Sequence, residues 1–539
     1  MSGWSFARMW EASADVVPDA PCLIQGERRL TWREVDRRAD GVAAWLLGLG
    51  VSEQDKVAQY LYNRPEYLES MFASYKAGLV PVNTNYRYAE EELAYLWDNA
   101  DAVAVVFQGE FVERIERLRS RLTKVKGWLW VDDGSGPCPE WAVPYEQVAV
   151  TAVAPRQRGP WDVDGDHLFM LYTGGTTGLP KGVMWRQDDV IMNSAALPDD
   201  RLPDEPDYDL VRSRIVGPGP VGLPACPLMH GTGVLTSQSA LSRAGSVVLL
   251  TTRTYDPVEL LDAIDRHKVN SVAIVGDAFA NPMLRALDAE PDRWNLSSLG
   301  IMASSGVMWS EETKQGLLRH HPGMFLMDAF SSSEALGMGL SVSGGDQTVP
   351  TARFQLGENA AVIDDYGRFV QPGSGGIGMV GVGGRVPLGY YKDEEKSART
   401  FRVIDGKRYS FPGDFATVEA DGSITLLGRG SVCINTGGEK VFPEEVEEVL
   451  KTHPGVRDAV VVGVPDEKWG EAITALVEAD PSAGVDEAQL TAHVRQRLAG
   501  FKSPKRVLFV DSIGRAPNGK VDYKRCKATA VERLAPVVG

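Results

Sequence analysis

Short β-branched and aromatic runs alternate with segments of helical period through the first third of the chain, and this alternation limits the fold more than any other feature. Thr31 and Glu34 have the spacing of a capping box, after which Val35, Ala39, Val42, Ala43 and Leu46 recur at helical period until Gly48 and Gly50. Val57 to Leu61 reads as a strand, and Pro65 opens a helix through Leu68, Met71 and Tyr75 to Gly78. Val80 to Val82 is a strand, Glu90 to Trp97 a helix and Ala102 to Phe107 a strand. Strand and helix in repeated succession predict an α/β fold, a parallel sheet with helices on its faces. The pattern returns with a helix from Asp256 to His267 and a strand from Ser271 to Val275. Residues 196 to 222 carry six acidic residues and five prolines, the composition of an irregular surface segment.

At 539 residues the chain is too long for one core, and its character changes twice. From 353 to 428 helical signals vanish and glycine-punctuated short strands predict a small β subdomain. Beyond Gly428-Arg429, Pro443 to Thr452 and Glu487 to Leu498 read as helices, and Ala459 to Val464, Ala472 to Val477 and Val507 to Val510 as strands. The expected organisation is a large domain, 1–429, followed by a small α+β domain, 430–539. A formal charge of -17 argues against a nucleic-acid partner, which needs a basic face. Cys22, Cys138, Cys226, Cys433 and Cys526 are odd in number and widely spaced, so neither a disulfide framework nor a zinc site is expected. The histidines show no ligand spacing. No apolar run approaches the ~18 residues of a membrane span, and residues 1–8 lack a targeting pattern. A soluble, cytoplasmic protein is the expectation, with a homodimer left open.

Chemistry enters at Leu171-Tyr172-Thr173-Gly174-Gly175-Thr176-Thr177-Gly178-Leu179-Pro180-Lys181-Gly182, with four glycines, three threonines and a lysine after a strand-like run from His167 to Leu171. Glycines let successive N–H groups converge on one point, hydroxyls add donors and the lysine adds charge, which together suit phosphate. A strand, a glycine turn and a following helix are expected here, the geometry of an anion site. The common triphosphate loop is excluded because Pro180 and Gly182 flank the lysine.

The stretch resembles the Y-T-S-G-T-T-G-x-P-K-G motif of adenylate-forming enzymes, with Gly174 in place of serine. Further segments follow in that superfamily's order, and the resemblance spans roughly residues 20 to 525. Asp328-Ala329-Phe330-Ser331-Ser332-Ser333-Glu334 is similar to its Y-G-x-T-E segment. The resemblance implies that Phe330 stacks on adenine, Asp328 faces the adenine amino group, Ser333 contacts phosphate, and Glu334, with Thr176 of the loop, holds Mg2+. Ser305-Gly306 stands where adenine is lined, and Thr173, Gly174, Gly175, Thr176, Thr177 and Lys181 would cradle the phosphates. Phe411-Pro412-Gly413-Asp414 resembles T-G-D, whose carboxylate takes the ribose hydroxyls together with Arg429. Gly437-Gly438 and Lys440 lie in the segment that lines the pantetheine arm of coenzyme A, and Ser431 is at the hinge. Pro517-Asn518-Gly519-Lys520 matches P-x-G-K, whose lysine assists attack of a carboxylate on the α-phosphate. Pro227-Leu228-Met229-His230-Gly231 and Val275-Gly276-Asp277-Ala278-Phe279 lie where the acyl group is held, with His230, Gly231, Asp277 and Phe279 as pocket residues.

What the resemblance implies is an acyl-CoA ligase using ATP, Mg2+, coenzyme A and a carboxylic acid, with Lys520, Lys181, Glu334 and His230 as the catalytic set. The variants Tyr172-Thr173-Gly174-Gly175, Phe411-Pro412-Gly413 and Gly430-Ser431 resemble the actinobacterial group acting on steroid side-chain and other polycyclic acids. Ser331 replaces the family's glycine, which leads to a second expectation: a ligase slow at adenylation that mainly thioesterifies a supplied adenylate. A binding protein without turnover is a third reading, which retention of Lys520 and the Gly437-Gly438 pair opposes.

Overall fold

The computed structural model describes residues 3–151, 153–154, 156–173, 179–194, 201–307, 309–345, 347–436, 439–466, 469–498, 500–516 and 519–534. Within them the alternation resolves into two parallel sheets. One runs in the spatial order Gly389–Tyr390, Lys181–Arg186, Leu168–Thr173, Val80–Asn83, Lys56–Tyr60, Ala102–Gln108, Gly127–Val131 and Val143–Pro144. It is parallel from Leu168–Thr173 to its far edge. The other carries Pro21–Gln25, Ser246–Leu249, Val221–Pro224, Ser271–Ile274, Ile301–Ser305 and Phe325–Ser332, all parallel. Phe325–Ser332 then turns back into Ala335–Gly344, through which the sheet continues into the β subdomain.

Successive strand residues face opposite sides, and this sorts the apolar residues into separate cores. Val57, Ala104, Val106, Phe169 and Leu171 face the layer between the sheets, whereas Ala58, Val105, Phe107 and Met170 face outward. In the second sheet Leu23, Val247 and Leu249 face that shared layer, and Ile24 and Val248 point away from it. The helices Phe6–Val16, Trp32–Gly48, Pro65–Lys76 and Gly231–Leu241 fill the layer. Glu90–Asn99 and Val112–Leu118 cover one outer face, and Pro257–His267, Asp277–Ala289 and Glu311–His320 the other. The middle layer holds charge as well as apolar bulk. Lys76, fully buried, is held by Glu11 at 3.2 Å, Asp36 at 2.6 Å and Asp40 at 2.9 Å, a cage that ties three helices together. Loss of Lys76 from such a cage would leave buried carboxylates facing one another, at a cost of roughly 3–5 kcal/mol.

Thr31 caps its helix through the expected reciprocal pair with Glu34. Three expectations fail. No helix follows the glycine stretch: Lys181–Arg186 pairs antiparallel with Leu168–Thr173, with Thr173 opposite Lys181, so the stretch joins a β-hairpin. A seven-residue helix, Glu394–Thr400, lies within 353–428, and another, Tyr208–Arg214, within 196–222. The helices Phe6–Val16 and Tyr523–Leu534 also escape the sequence pattern.

After Ile424–Arg429 and a short turn at Gly430–Val432, the chain builds a separate sheet from Ile434–Thr436, Glu439–Val441, Val456–Asp466, Gly470–Ala479 and Arg506–Phe509. Pro443–Lys451 and Glu487–Arg495 pack on one face, and Tyr523–Leu534 on the other. No helix among the described residues is long and apolar enough to cross a membrane.

Candidate active site

Ligands of open parallel sheets gather beyond the carboxyl ends of the strands, and here those ends face one another across a cavity of about 860 Å³. Thr173, Lys181, Gly306, Asp328, Phe330, Ser331, Ser333, Glu334, Asp414, Arg429 and Lys520 all line it. Residues scattered over nearly 350 positions of sequence thus converge, and two domains contribute. Gly174, Gly175, Thr176, Thr177, Gly437 and Gly438 lie outside the described residues.

Two asparagines set the distance between the sheets at this end. Asn63 donates to the Cys226 carbonyl at 3.1 Å and accepts from Leu228 N–H at 2.7 Å. Asn83 donates to the carbonyls of Tyr172 at 2.9 Å and Met229 at 2.7 Å, and accepts from Tyr172 N–H at 2.7 Å. Each amide satisfies backbone groups that neither sheet can pair. His230 is thereby fixed relative to the strand that ends at Thr173.

The hairpin of Phe325–Ser332 and Ala335–Gly344 delivers the acidic segment. Asp328 is buried beside the buried Lys314, with 3.3 Å between carboxylate and ammonium. Loss of solvent pushes its pKa up to about 6, against the lowering pull of Lys314. Phe330 packs at a tilt against Phe354, with ring centroids 5.4 Å apart. Strand pairing shifts between Phe330 and Ser332, so Ser331 stands at a bulge, where its hydroxyl accepts from Gly337 N–H at 3.1 Å. Ser331 is absent from the positive-φ residues, so the backbone strain expected of a serine in place of glycine does not arise.

Glu334 sits in the hairpin turn. Trp185 donates to the Ser333 carbonyl at 2.8 Å and Ser410 to the Glu334 carbonyl at 2.6 Å, which pins the turn between the sheets. Tyr390 donates to Glu334 Oε1 at 2.8 Å. Glu334 lines the cavity together with the hydroxyl-bearing Thr173, Ser331, Ser332 and Ser333. No cluster of three or more metal-binding side chains occurs among the described residues, so a hard cation at Glu334 would complete its shell with phosphate oxygens and water. The donor chemistry suits magnesium held jointly with a nucleotide.

Asp414 and Arg429 face each other across the pair of strands Asp414–Val418 and Ile424–Arg429, with 3.2 Å between Oδ1 and Nε. Asp414 Oδ2 is buried with no partner among the described residues. A buried carboxylate oxygen without a donor is costly, and a ribose diol would supply donors. Lys181 forms an ion pair with Asp393, the residue that caps Glu394–Thr400.

The small domain closes the cavity with two features. The helix Pro443–Lys451 presents Glu444, Glu447, Glu448 and Lys451 at helical spacing. The Glu444 pKa is raised, first by burial and then by Glu447, and its carboxylate packs against Gly428, whose φ of +121° favours glycine. Glu447 accepts from the Tyr523 hydroxyl at 3.0 Å. The second feature is the backbone closure of Ala516 on Gly519 and Lys520. Ala516 N–H donates to the Lys520 carbonyl at 2.9 Å, and Arg515, paired with Asp458 at 2.5 Å, donates to the Gly519 carbonyl at 3.1 Å. Gly519, at φ +71°, packs near Val275 and Ala278 of the large domain. This closure carries Lys520 into the cleft. The ammonium keeps contact with solvent in the open cavity, yet loss of bulk water and the Arg429 charge lower its pKa, against the pull of Glu334 and Asp414. The same charge bears on His230, whose pKa falls to about 3 through desolvation first, then Lys520 and Arg87. His230 is therefore neutral at physiological pH.

The residues expected to hold the acyl group do not all meet there. Asp277 accepts from the Ser310 backbone and hydroxyl, the latter at 3.0 Å, and Phe279 lies in the core against Tyr255, 4.6 Å between centroids. Ser305 ends its strand just before Gly306, and Gly231 begins its helix facing Leu171. Ser431 lies in the turn between the domains, and Lys440 pairs in register with Asn435. Tyr390, Lys396, Glu444 and Tyr523 line the cavity without any sequence motif to announce them. Within the helix read from Pro443 to Thr452, the spacing of Glu444, Glu447 and Glu448 is the one signal that could have placed them on a shared face.

Comparison with known proteins places this geometry in context. A family model described as AMP-binding enzyme matches residues 10–391, and one described as AMP-binding enzyme C-terminal domain matches residues 445–520. A medium/long-chain-fatty-acid–CoA/3-oxocholest-4-en-26-oate–CoA ligase of Mycolicibacterium smegmatis is 41% identical, over 99% of this chain and 98% of the relative. A 3-oxocholest-4-en-26-oate–CoA ligase of Rhodococcus rhodochrous is 39% identical, over 97% of this chain and 95% of the relative. Among solved structures, the anthranilate CoA ligase AuaEII in complex with anthranoyl-AMP superposes with a TM-score of 0.83 at 21% identity, covering 99% of each chain.

Proposed function

Because the chain belongs to the AMP-binding enzyme family, we propose that it is an AMP-forming acid–thiol ligase that converts a bulky polycyclic acid to its coenzyme A thioester through an acyl-adenylate. The observation that carries the reading is the meeting of Lys520 with Glu334, Asp414 and Arg429 in one cavity, across the two domains.

In this reading ATP lies with its adenine against Phe330, its amino group toward Asp328 and its ribose hydroxyls on Asp414 and Arg429. Lys181 and the hydroxyls of Thr173 and Ser333 take the phosphates. Glu334 would hold magnesium, which would supply charge neutralisation to those phosphates. A carboxylate oxygen of the acid attacks the α-phosphorus, and the bond from that phosphorus to the bridging oxygen of pyrophosphate breaks. Lys520 holds the incoming carboxylate and the α-phosphate together and offsets the charge that develops, an effect worth most in a water-poor site prepared in advance. The coenzyme A thiolate then attacks the acyl carbonyl, and AMP leaves with the electron pair of the cleaved acyl–oxygen bond. The Gly437-Gly438 stretch, Lys440 and a swing about Ser431 belong to that second step. The docked Lys520 corresponds to the first.

The steroid-type acid rests on the named activities of the Mycolicibacterium and Rhodococcus relatives, and the former's name includes fatty acids as well. Asp277 gives no support as a polar pocket wall, because its carboxylate is engaged by Ser310. The unstrained Ser331 removes backbone strain as a reason for impaired adenylation and leaves only the hydroxymethyl group, which lines the cavity. The test is incubation with ATP, magnesium, coenzyme A and a panel of fatty, aromatic and steroid acids, with AMP and thioester followed by mass. A steroid side-chain acid should yield both in equal amount, and absence of thioester with every acid rejects the proposal.

A further inference from the structure

The cavity holds a cation that the reaction as described leaves without a task. Lys396 lies in the first turn of Glu394–Thr400, where its N–H donates to Asp393 Oδ1 at 3.0 Å. The other oxygen of Asp393 takes the ammonium of Lys181. One residue therefore caps the helix that carries Lys396 and anchors the lysine of the glycine stretch. Tyr390 lies between the two: its ring centroid is 5.2 Å from the Lys396 ammonium and 5.8 Å from that of Lys181, while its hydroxyl is bonded to Glu334.

Lysines at such a site ordinarily have counterions. Lys181 has Asp393 and Arg429 has Asp414, but among the described residues no carboxylate lies within ion-pair distance of Lys396. The side chain is half-buried and lines the cavity. Desolvation and the like charge of Lys181 both work against its charged form. A flexible lysine could swing to water at little cost, yet this one lies along the Tyr390 ring beside a second cation. Its charged surroundings include Lys181, Glu334, Asp393 and, on the side of the ribose site, Arg429. An anion of high charge, placed beyond Lys181 and away from the ribose, would meet both ammonium groups.

Resting on the ligase reading above, we propose that Lys396 binds the β- and γ-phosphates of ATP and receives the charge of the departing pyrophosphate. When the carboxylate attacks the α-phosphorus, the electrons of the broken phosphorus–oxygen bond settle on pyrophosphate, where Lys396 and Lys181 neutralise them. AMP and the acyl-adenylate lack those phosphates and do not touch Lys396.

Calorimetric titration of the full chain and its Lys396→Met and Lys396→Arg variants with magnesium ATP, magnesium pyrophosphate and AMP separates the possibilities. Lys396→Met should weaken ATP and pyrophosphate binding by about tenfold or more, the ordinary consequence of losing a charged hydrogen bond, and Lys396→Arg should recover most of it. AMP binding and thioesterification of a supplied acyl-adenylate should stay within about twofold, which also shows that the variant is folded. Unchanged ATP binding in Lys396→Met, or equal weakening of ATP and AMP, overturns the assignment. Failure of the unsubstituted protein to bind magnesium ATP removes the ligase reading itself, and this proposal with it.

Discussion

Lys520→Ala should separate the two half-reactions. The substitution removes the ammonium without dismantling its support, which is closed by the backbone bonds of Ala516, Gly519 and Lys520 and braced by Arg515. The other cavity cations are anchored elsewhere, Lys181 beside Asp393 and Arg429 beside Asp414, so neither takes the place of the lost charge. Removal of one positioned donor from a developing anion costs about 2.7–4 kcal/mol, roughly 10²–10³ in rate. That loss should fall on adenylation, read as single-turnover release of pyrophosphate from acid and ATP. Thioester formation from a supplied adenylate should change little, because the carboxylate it would have guided is already esterified. A second readout is independent of turnover. His230 is held at about 3 partly by the Lys520 charge, so its pKa should rise in the variant, measurable by imidazole NMR titration. Equal loss of both half-reactions would refute the role assigned to Lys520, and an unmoved His230 would refute its placement in the cleft.

Asp414→Asn should raise the KM for ATP by roughly 10-fold or more, since a charged acceptor is lost from the ribose and Arg429 loses its partner; a KM within about twofold argues against the ribose site. Glu444 is a carboxyl raised in the folded protein, so its contribution is fully present below the ordinary carboxylate value and is lost as pH rises through the raised one. Melting temperatures should accordingly fall toward alkaline pH, and Glu444→Gln should flatten that fall, by roughly 1.4 kcal/mol for each pH unit that separates the ordinary value from the raised one; parallel pH profiles would contradict it. Asp328, raised to about 6, should lose its negative charge below that pH, so the KM for ATP should climb on the acid side, and a flat KM between about pH 5 and 7 tells against a role at adenine. Ser331→Gly should leave adenylation within about threefold, because the serine backbone is unstrained, and a large gain would revive the impaired-ligase reading.

Where the pattern was local, the residues spoke for themselves. The alternation of Val57, Ala58 and of Val105, Val106 could be read as a sheet with two buried faces, and the pair Thr31 and Glu34 fixed a helix start. The hairpin at Thr173 and Lys181 was not legible, because a glycine stretch after a strand is equally compatible with a following helix or strand, and long-range pairing with Gly389–Tyr390 decides it. Tyr523–Leu534 buries Cys526 and Ala530 amid exposed charge, too narrow an apolar stripe to announce a helix. For the site, the family motifs located Asp328, Glu334, Asp414 and Lys520, but Tyr390, Lys396 and Glu444 gained meaning only from neighbours distant in sequence. Asn63 and Asn83 hold the sheets in place through backbone groups, and backbone partners leave no trace in side-chain pattern.

The central claim is that the carboxylate itself attacks the α-phosphorus in this cavity. It is tested most directly by supplying a steroid side-chain acid labelled in both carboxylate oxygens with a heavy isotope and weighing the products. Adenylation predicts AMP carrying one heavy oxygen and a thioester retaining the other. Unlabelled AMP, or appearance of the label in inorganic phosphate with ADP as the nucleotide product, would contradict the account.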